Sequence, residues 1–136
     1  MPTRKFPGCY ESLAALSDYV SKQATAAGLD EKEVYAVQLA VDEAATNIID
    51  HAYGGEERGE IECTCTVRGT ELTVKLKDQG KPFVPEEVPD LPVGAPLDKI
   101  SPSGAGLFLM KKLMDEVHFE FQEGGNVLTM VKRKKS

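Results

Sequence analysis

An unusual polar set interrupts an apolar helical run. Asp42, Glu43, Asn47 and His51 sit among the alanines and aliphatics of Val34 to Gly54. Glu43, Asn47 and Asp50/His51 recur at three- and four-residue intervals, so they line one side of a helix. Val37, Ala40, Val41, Ala44, Ala45, Ile48 and Ile49 are too apolar for a solvated helix, which sets the polar line at the border of a core or a cleft. A carboxylate one turn from a carboxamide, on a rigid element, can hold a divalent cation and a water.

Two further polar groups stand at element ends. Asp78-Gln79-Gly80 closes a strand pattern, and Gly104-Ala105-Gly106 opens a helical one. All three groups suit a nucleotide. Asp78 can accept a hydrogen bond from an exocyclic amine, which reads adenine against guanine. Gly80 allows close backbone approach to a base. Gly104 and Gly106 leave amides free at a helix N-terminus, where orphan N–H groups and the helix dipole favour phosphate. Asn47 offers a neutral oxygen to Mg²⁺, whose other ligands are phosphate oxygens and waters. Glu43 can orient and deprotonate an attacking hydroxyl or water. Taken singly, each group has an ordinary reading too: a salt-bridged helix residue, a hydrogen-bonding helix asparagine, a common turn. Neither a Gly-Lys-Ser/Thr phosphate loop nor a Gly-x-Gly-x-x-Gly fingerprint occurs, so a nucleotide site here is of another design.

The elements that must position these groups follow from periodicity. An edge strand is expected around Thr3 to Phe6. A first helix starts at Glu11 or Ser12, shows Leu13, Leu16, Tyr19 and Val20 on one face, and ends at Gly28. Asp30 and Glu33 form a capping-box pattern for the second helix, which runs to about Ala52 before Gly54 and Gly55 stop it. Ile61, Cys63, Cys65 and Val67 alternate with polar residues. Gly69-Thr70 is a tight turn, and Leu72, Val74 and Leu76 are the inward face of the returning strand. From Lys81 to Ser103 six prolines punctuate a long connection, the pattern of a functional loop. A third helix opens at Gly104, with Leu107, Met110, Leu113 and Met114 as its apolar face and the methionines as core fillers. Val117, Phe119 and Phe121 alternate as a strand, and Val127 to Val131 pairs back after the Gly124-Gly125 turn. The layout predicts an α+β fold, a two-layer α/β sandwich with three main helices on one face of a mixed, largely antiparallel sheet.

Size and charge bound the rest. One domain of 136 residues is expected. A formal charge of −6 disfavours nucleic acid as a partner, and the basic run Lys132 to Lys135 reads as a solvated tail. Cys9, Cys63 and Cys65 have no metal-binding spacing and read as free thiols of a reducing compartment. With neither an apolar leader nor a run of about 20 apolar residues, a cytoplasmic protein without membrane contact is expected.

In combination the motifs resemble those of the small Bergerat-fold (GHKL) ATP-binding proteins of the anti-sigma-factor serine/threonine kinase group. DEAATNIIDHAYG (Asp42 to Gly54) resembles that family's N-box. KDQGKPF (Lys77 to Phe83) resembles its first glycine box, and SGAGLFLMKKLMDEV (Ser103 to Val117) its second. GGNVLTMVK resembles its terminal hairpin, and the similarity runs in order from about Leu13. The resemblance implies ATP and Mg²⁺ as cofactors, with Glu43 as general base and Asn47 as Mg²⁺ ligand. Asp78 and Gly80 would hold the adenine. Ser103, Gly104, Ala105 and Gly106 would pass close to the phosphates, Asn126 would support the adenine-binding aspartate, and residues 81–103 would form the ATP lid. It further implies phosphorylation of a STAS-domain antagonist, a sigma factor as second partner, and a homodimer. The alternative is an ATP-binding switch that sequesters a regulator with little kinase activity. Three features depart from the usual patterns. Pro102 stands where a lid arginine is usual in the group and leaves Lys99 as the nearby cation; Asn126 replaces a threonine; Lys81-Pro82, a variant also seen in the small group, stands where the wider superfamily has a more glycine-rich turn. His51 could contact phosphate or metal or cap the helix end, and the structural cap is the preferred reading.

Overall fold

Asp30 starts the helix on which the molecule is built. Its carboxylate accepts from the Glu33 amide at 2.8 Å, and the Glu33 carboxylate accepts from the Asp30 amide at 2.9 Å. Two amides that the first turn leaves without helical partners are satisfied reciprocally, as the capping-box pattern predicts. The computed structural model describes residues 3–81, 109–122 and 124–134. Within them the order is β1 (Thr3–Pro7), α1 (Ser12–Ala26), α2 (Glu31–Asn47), a π-helical turn (Ile48–Ala52), β2 (Glu60–Arg68), β3 (Glu71–Asp78), β4 (Glu116–Gln122) and β5 (Gly125–Arg133). Residues 109–113 are helical, the described part of the expected third helix. The start of that helix and the expected lid beyond Lys81 lie outside the described residues, and with them Ser103, Gly104, Ala105 and Gly106.

The five strands form one sheet in the order β1-β2-β3-β5-β4, and all four pairings are antiparallel. Period-two alternation decides which side faces the helices. Ile61, Cys63 and Cys65 of β2, Leu72, Val74 and Leu76 of β3, and Leu128 and Met130 of β5 are buried together. Val20 and Leu16 of α1 and Val37, Ala40, Val41, Ala44 and Ala45 of α2 meet them. Burial of each large aliphatic contributes about 1.5–3 kcal/mol. The opposite sheet face carries Glu62, Thr64, Lys75 and Thr129 and is at least partly exposed, so this is the expected two-layer α+β arrangement. All three cysteines are free thiols, Cys63 and Cys65 buried. Among the described residues no helix is long and apolar enough to cross a membrane.

Two features differ from the reading of the sequence. The second helix does not run to Ala52 as an α-helix. After Asn47 it widens, and the Tyr53 amide bonds to the Ile48 carbonyl at 2.9 Å, one residue further back than in an α-turn. Lys132 is not part of a solvated tail. It lies in β5, is 8 % exposed, and donates through Nζ to the Leu113 carbonyl at 2.6 Å. A cation at the end of the 109–113 helical stretch satisfies a terminal carbonyl and meets the negative end of the helix dipole.

Candidate nucleotide-binding site

β3 and β5 run side by side at the centre of the sheet, and their paired ends bring Asp78 opposite Asn126. The approach is close because residue 125 is glycine. A Cβ there would land inside contact distance of the Asp78 carbonyl. Asp78 points inward, as the alternation from Leu72 through Leu76 requires, and is 3 % exposed.

Its carboxylate is held from two sides. Asn126 Nδ2 donates to Oδ1 at 2.9 Å, and the Gly80 amide donates to the same oxygen at 2.8 Å. Asn126 Nδ2 also donates to the Lys81 carbonyl at 2.7 Å, tying β5 to the first residue after the turn. Burial pushes the Asp78 carboxyl pKa up from its ordinary value; the bonds from Asn126 and Gly80 oppose that rise by stabilising the anion. Among the described residues both bonds fall on Oδ1, so Oδ2 remains for a ligand donor in the cavity that Asp78 lines.

That cavity lies between the end of α2 and the sheet. Asn47 and His51 border it from the helix side, Asp78 and Asn126 from the sheet side, with Phe119 and Leu128 as apolar wall. One buried acceptor in an apolar slot matches a purine with an exocyclic amine: the ring fills the slot and the amine meets the carboxylate. Asn47 brings a single carboxamide, and the described residues contain no cluster of three or more His, Cys, Asp or Glu side chains that would cage a metal alone. This donor set fits Mg²⁺ carried with phosphates, which needs few protein ligands.

Asn47, Asp78 and Asn126 are thus brought together. Gly80 lies behind Asp78, where a Cβ would collide with the Ala52 carbonyl, so only glycine passes. Glu43 sits one turn before Asn47 on α2, half-buried, and does not line the cavity itself. His51 is exposed at the helix end and does line it. Sequence reasoning missed Lys81, Phe119 and Leu128 as lining residues. The two apolar ones carry the same period-two signal as any core residue, and nothing in that signal separates a cavity wall from a core. Met110, read as a core filler, is buried and also borders the cavity.

The chain matches the family described as histidine kinase-like ATPase domain over residues 6–132. It is 36% identical over 123 residues to the serine-protein kinase RsbW of Listeria monocytogenes serovar 1/2a, covering 88% of this chain and 77% of that one. To the serine-protein kinase RsbW of Bacillus subtilis strain 168 it is 32% identical over 127 residues, covering 90% and 79%. In fold it is similar to the structure of the RsbU and RsbW domains of Rv1364c from Mycobacterium tuberculosis, with a TM-score of 0.67 at 15% identity. That match covers 98% of this chain and 32% of the other. It is also similar to the catalytic domain of histidine kinase ThkA, with a TM-score of 0.59 at 18% identity, both chains covered in full.

Proposed function

Because the chain belongs to the histidine kinase-like ATPase domain family and is related to the RsbW serine-protein kinases, we propose that it is a Mg-ATP-dependent protein serine/threonine kinase. Its protein substrate is a STAS-domain antagonist, and it acts as an anti-sigma regulatory factor in bacterial partner switching. The observation that carries the nucleotide part is the convergence of Asn47, Asp78 and Asn126 on one cavity.

In this reading Asp78 Oδ2 accepts the adenine amine, and Asn126 and the Gly80 amide hold the carboxyl group in place. Asn47 holds Mg²⁺ through its side-chain oxygen; when bound, the metal neutralises charge on the phosphoryl oxygens. Glu43, one turn away on the same rigid helix, takes the proton of the acceptor serine or threonine as its oxygen bonds to the γ-phosphorus and ADP leaves. Residues 81–103 act as the lid, and Ser103 to Gly106 lie along the phosphates. In the same reading a sigma factor is the second partner, and the chain works as a homodimer.

Incubation with labelled Mg-ATP and a STAS-domain antagonist tests this. The wild type transfers phosphate, and Glu43→Gln lowers transfer by about 10²–10⁴-fold with little change in ATP affinity. Full transfer in Glu43→Gln would remove the base assignment. Pro102, standing where a lid arginine is usual, favours a second reading, a switch that binds ATP and sequesters its regulator with little kinase activity. Stable ATP-dependent binding without phosphoprotein would select it.

A further inference from the structure

Tyr53 follows the π-helical turn and is not itself among the residues that line the cavity. Its hydroxyl nevertheless connects two elements of the site. It donates to the Glu60 carbonyl at 2.6 Å and accepts from the Gln79 amide at 2.9 Å. Gln79 is the residue between Asp78 and Gly80. The ring is fitted against backbone: a Cβ on Gly59 would land on its edge, and one on Gly8 would lie 3.5 Å from it. Burial pushes the phenol pKa up, opposed by the Gln79 amide, so the hydroxyl keeps the proton it donates to Glu60. The neighbouring residue makes a second clasp, since the Ala52 carbonyl accepts from the Lys81 amide at 2.8 Å. The wide turn after Asn47 therefore holds both ends of the segment 79–81 that follows the adenine-reading carboxylate.

We propose that Tyr53 is a positioning residue for nucleotide selection, its hydroxyl fixing the Asp78–Gly80 turn so that the free carboxylate oxygen faces the purine amine. The proposal rests on the ATP reading above. Asp78 is otherwise anchored by Asn126 and by Gly80, and Gly80 is itself part of the turn that Tyr53 holds. Without the hydroxyl the Gln79 amide loses its acceptor, and the turn is freed to rotate the peptide beside Asp78. Tyr53 also joins the helix that carries Asn47 to the strand end that reads the base, so metal and base ends share one frame.

The test uses the full chain as wild type and Tyr53→Phe, with Mg-ATP and Mg-inosine triphosphate as probes. Inosine triphosphate carries a carbonyl in place of the 6-amine, so it reports binding without the bond from that amine to Asp78. The wild type prefers ATP. In Tyr53→Phe the affinity for ATP falls by about tenfold, the loss expected for one hydrogen bond, while that for inosine triphosphate hardly changes. Amide hydrogen exchange gives a readout in the folded apo protein: the Gln79 amide exchanges faster in Tyr53→Phe while the β3–β5 ladder keeps its protection. A wild type that binds neither probe, or binds both equally, overturns the adenine reading and this inference with it. A wild type that prefers ATP, with the preference intact in Tyr53→Phe or lost equally on both probes, overturns the role of Tyr53 alone. An unchanged Gln79 exchange rate does the same.

Discussion

Replacing Asp78 by asparagine separates what the site costs the fold from what it does. The side chain is 3 % exposed and its carboxyl pKa is raised by burial. In Asp78→Asn the amide oxygen still accepts from Asn126 Nδ2 and the Gly80 amide, which lie 2.9 and 2.8 Å from Oδ1. The turn therefore keeps its form, and the desolvated charge is gone. The apo variant should be as stable as the wild type, or more stable by up to about 1 kcal/mol. Binding behaves oppositely. The NH₂ group now occupies the place of Oδ2, so a donor meets the adenine amine. Losing a hydrogen bond to a charged acceptor costs about 1.5–3 kcal/mol, a loss of roughly 10- to 150-fold in affinity. The pH dependence has a definite sign. The folded-state pKa of Asp78 lies above its ordinary value of 3.8, so the native state binds this proton more tightly than the unfolded chain. Asp78 thus contributes stability that is present below the unfolded pKa and lost as pH rises through the folded one. Asp78→Asn should remove that part of the acid limb. Urea melts from pH 3 to 7 and calorimetric titration with Mg-ATP measure both sides. A variant that binds ATP within about threefold of wild type, or that unfolds, would refute the assignment.

Three further outcomes are expected. Asp30→Ala removes the capping box at the far end of α2 and should cost about 1 kcal/mol, lowering the melting temperature by about 3–5 °C with ATP affinity retained; calorimetry and a binding titration check both. Gly125→Ala places a methyl against the Asp78 carbonyl. It should destabilise by about 3 kcal/mol and weaken ATP binding together with stability, measured by urea melts with and without nucleotide. Tyr19 lies on the buried face of α1, and burial first, then charge on Cys65 and Cys63, push its phenol from 10.0 up to about 12. Its folded pKa exceeds the unfolded one, so its contribution is complete below pH 10.0 and lost as pH rises through 12. Tyr19→Phe should delete the highest step of the tyrosine absorbance titration and flatten the alkaline limb of stability.

Local grammar carried most of the fold. The Asp30–Glu33 box, the apolar faces of α1 and α2 and the alternation in β2, β3 and β5 all appear where their patterns place them, because each is decided by neighbours in sequence. The sheet order is decided by neighbours in space. No local pattern says that β5 enters between β3 and β4, and that placement is what sets Asn126 against Asp78. Lys132 shows the same limit from the other side. As part of a basic run it reads as solvated, and only the helix end beside β5 gives its ammonium an acceptor. In the site, Asp78 and Asn47 were legible because a polar residue on an apolar face needs a reason. Tyr53 was not, because its partners are a backbone amide and a backbone carbonyl, and backbone groups have no residue type to read. The wide turn at Ile48–Ala52 was hidden for the same reason.

The placement of β5 has a kinetic consequence. Asp78 and Asn126 are 48 residues apart, and the strands they end are hydrogen-bonded neighbours at the sheet centre. Hairpin β2–β3 can form early, since its strands are joined by a two-residue turn, but its inner edge stays unpaired until the last strand is inserted. The outward-pointing Lys75 and Lys77 on that strand put like charges on the waiting edge, which discourages pairing with another chain. The candidate nucleotide site is completed only by that late insertion, so a ligand bound there would stabilise contacts that the folding transition state lacks. Mg-ATP should accordingly slow unfolding and leave the folding rate nearly unchanged.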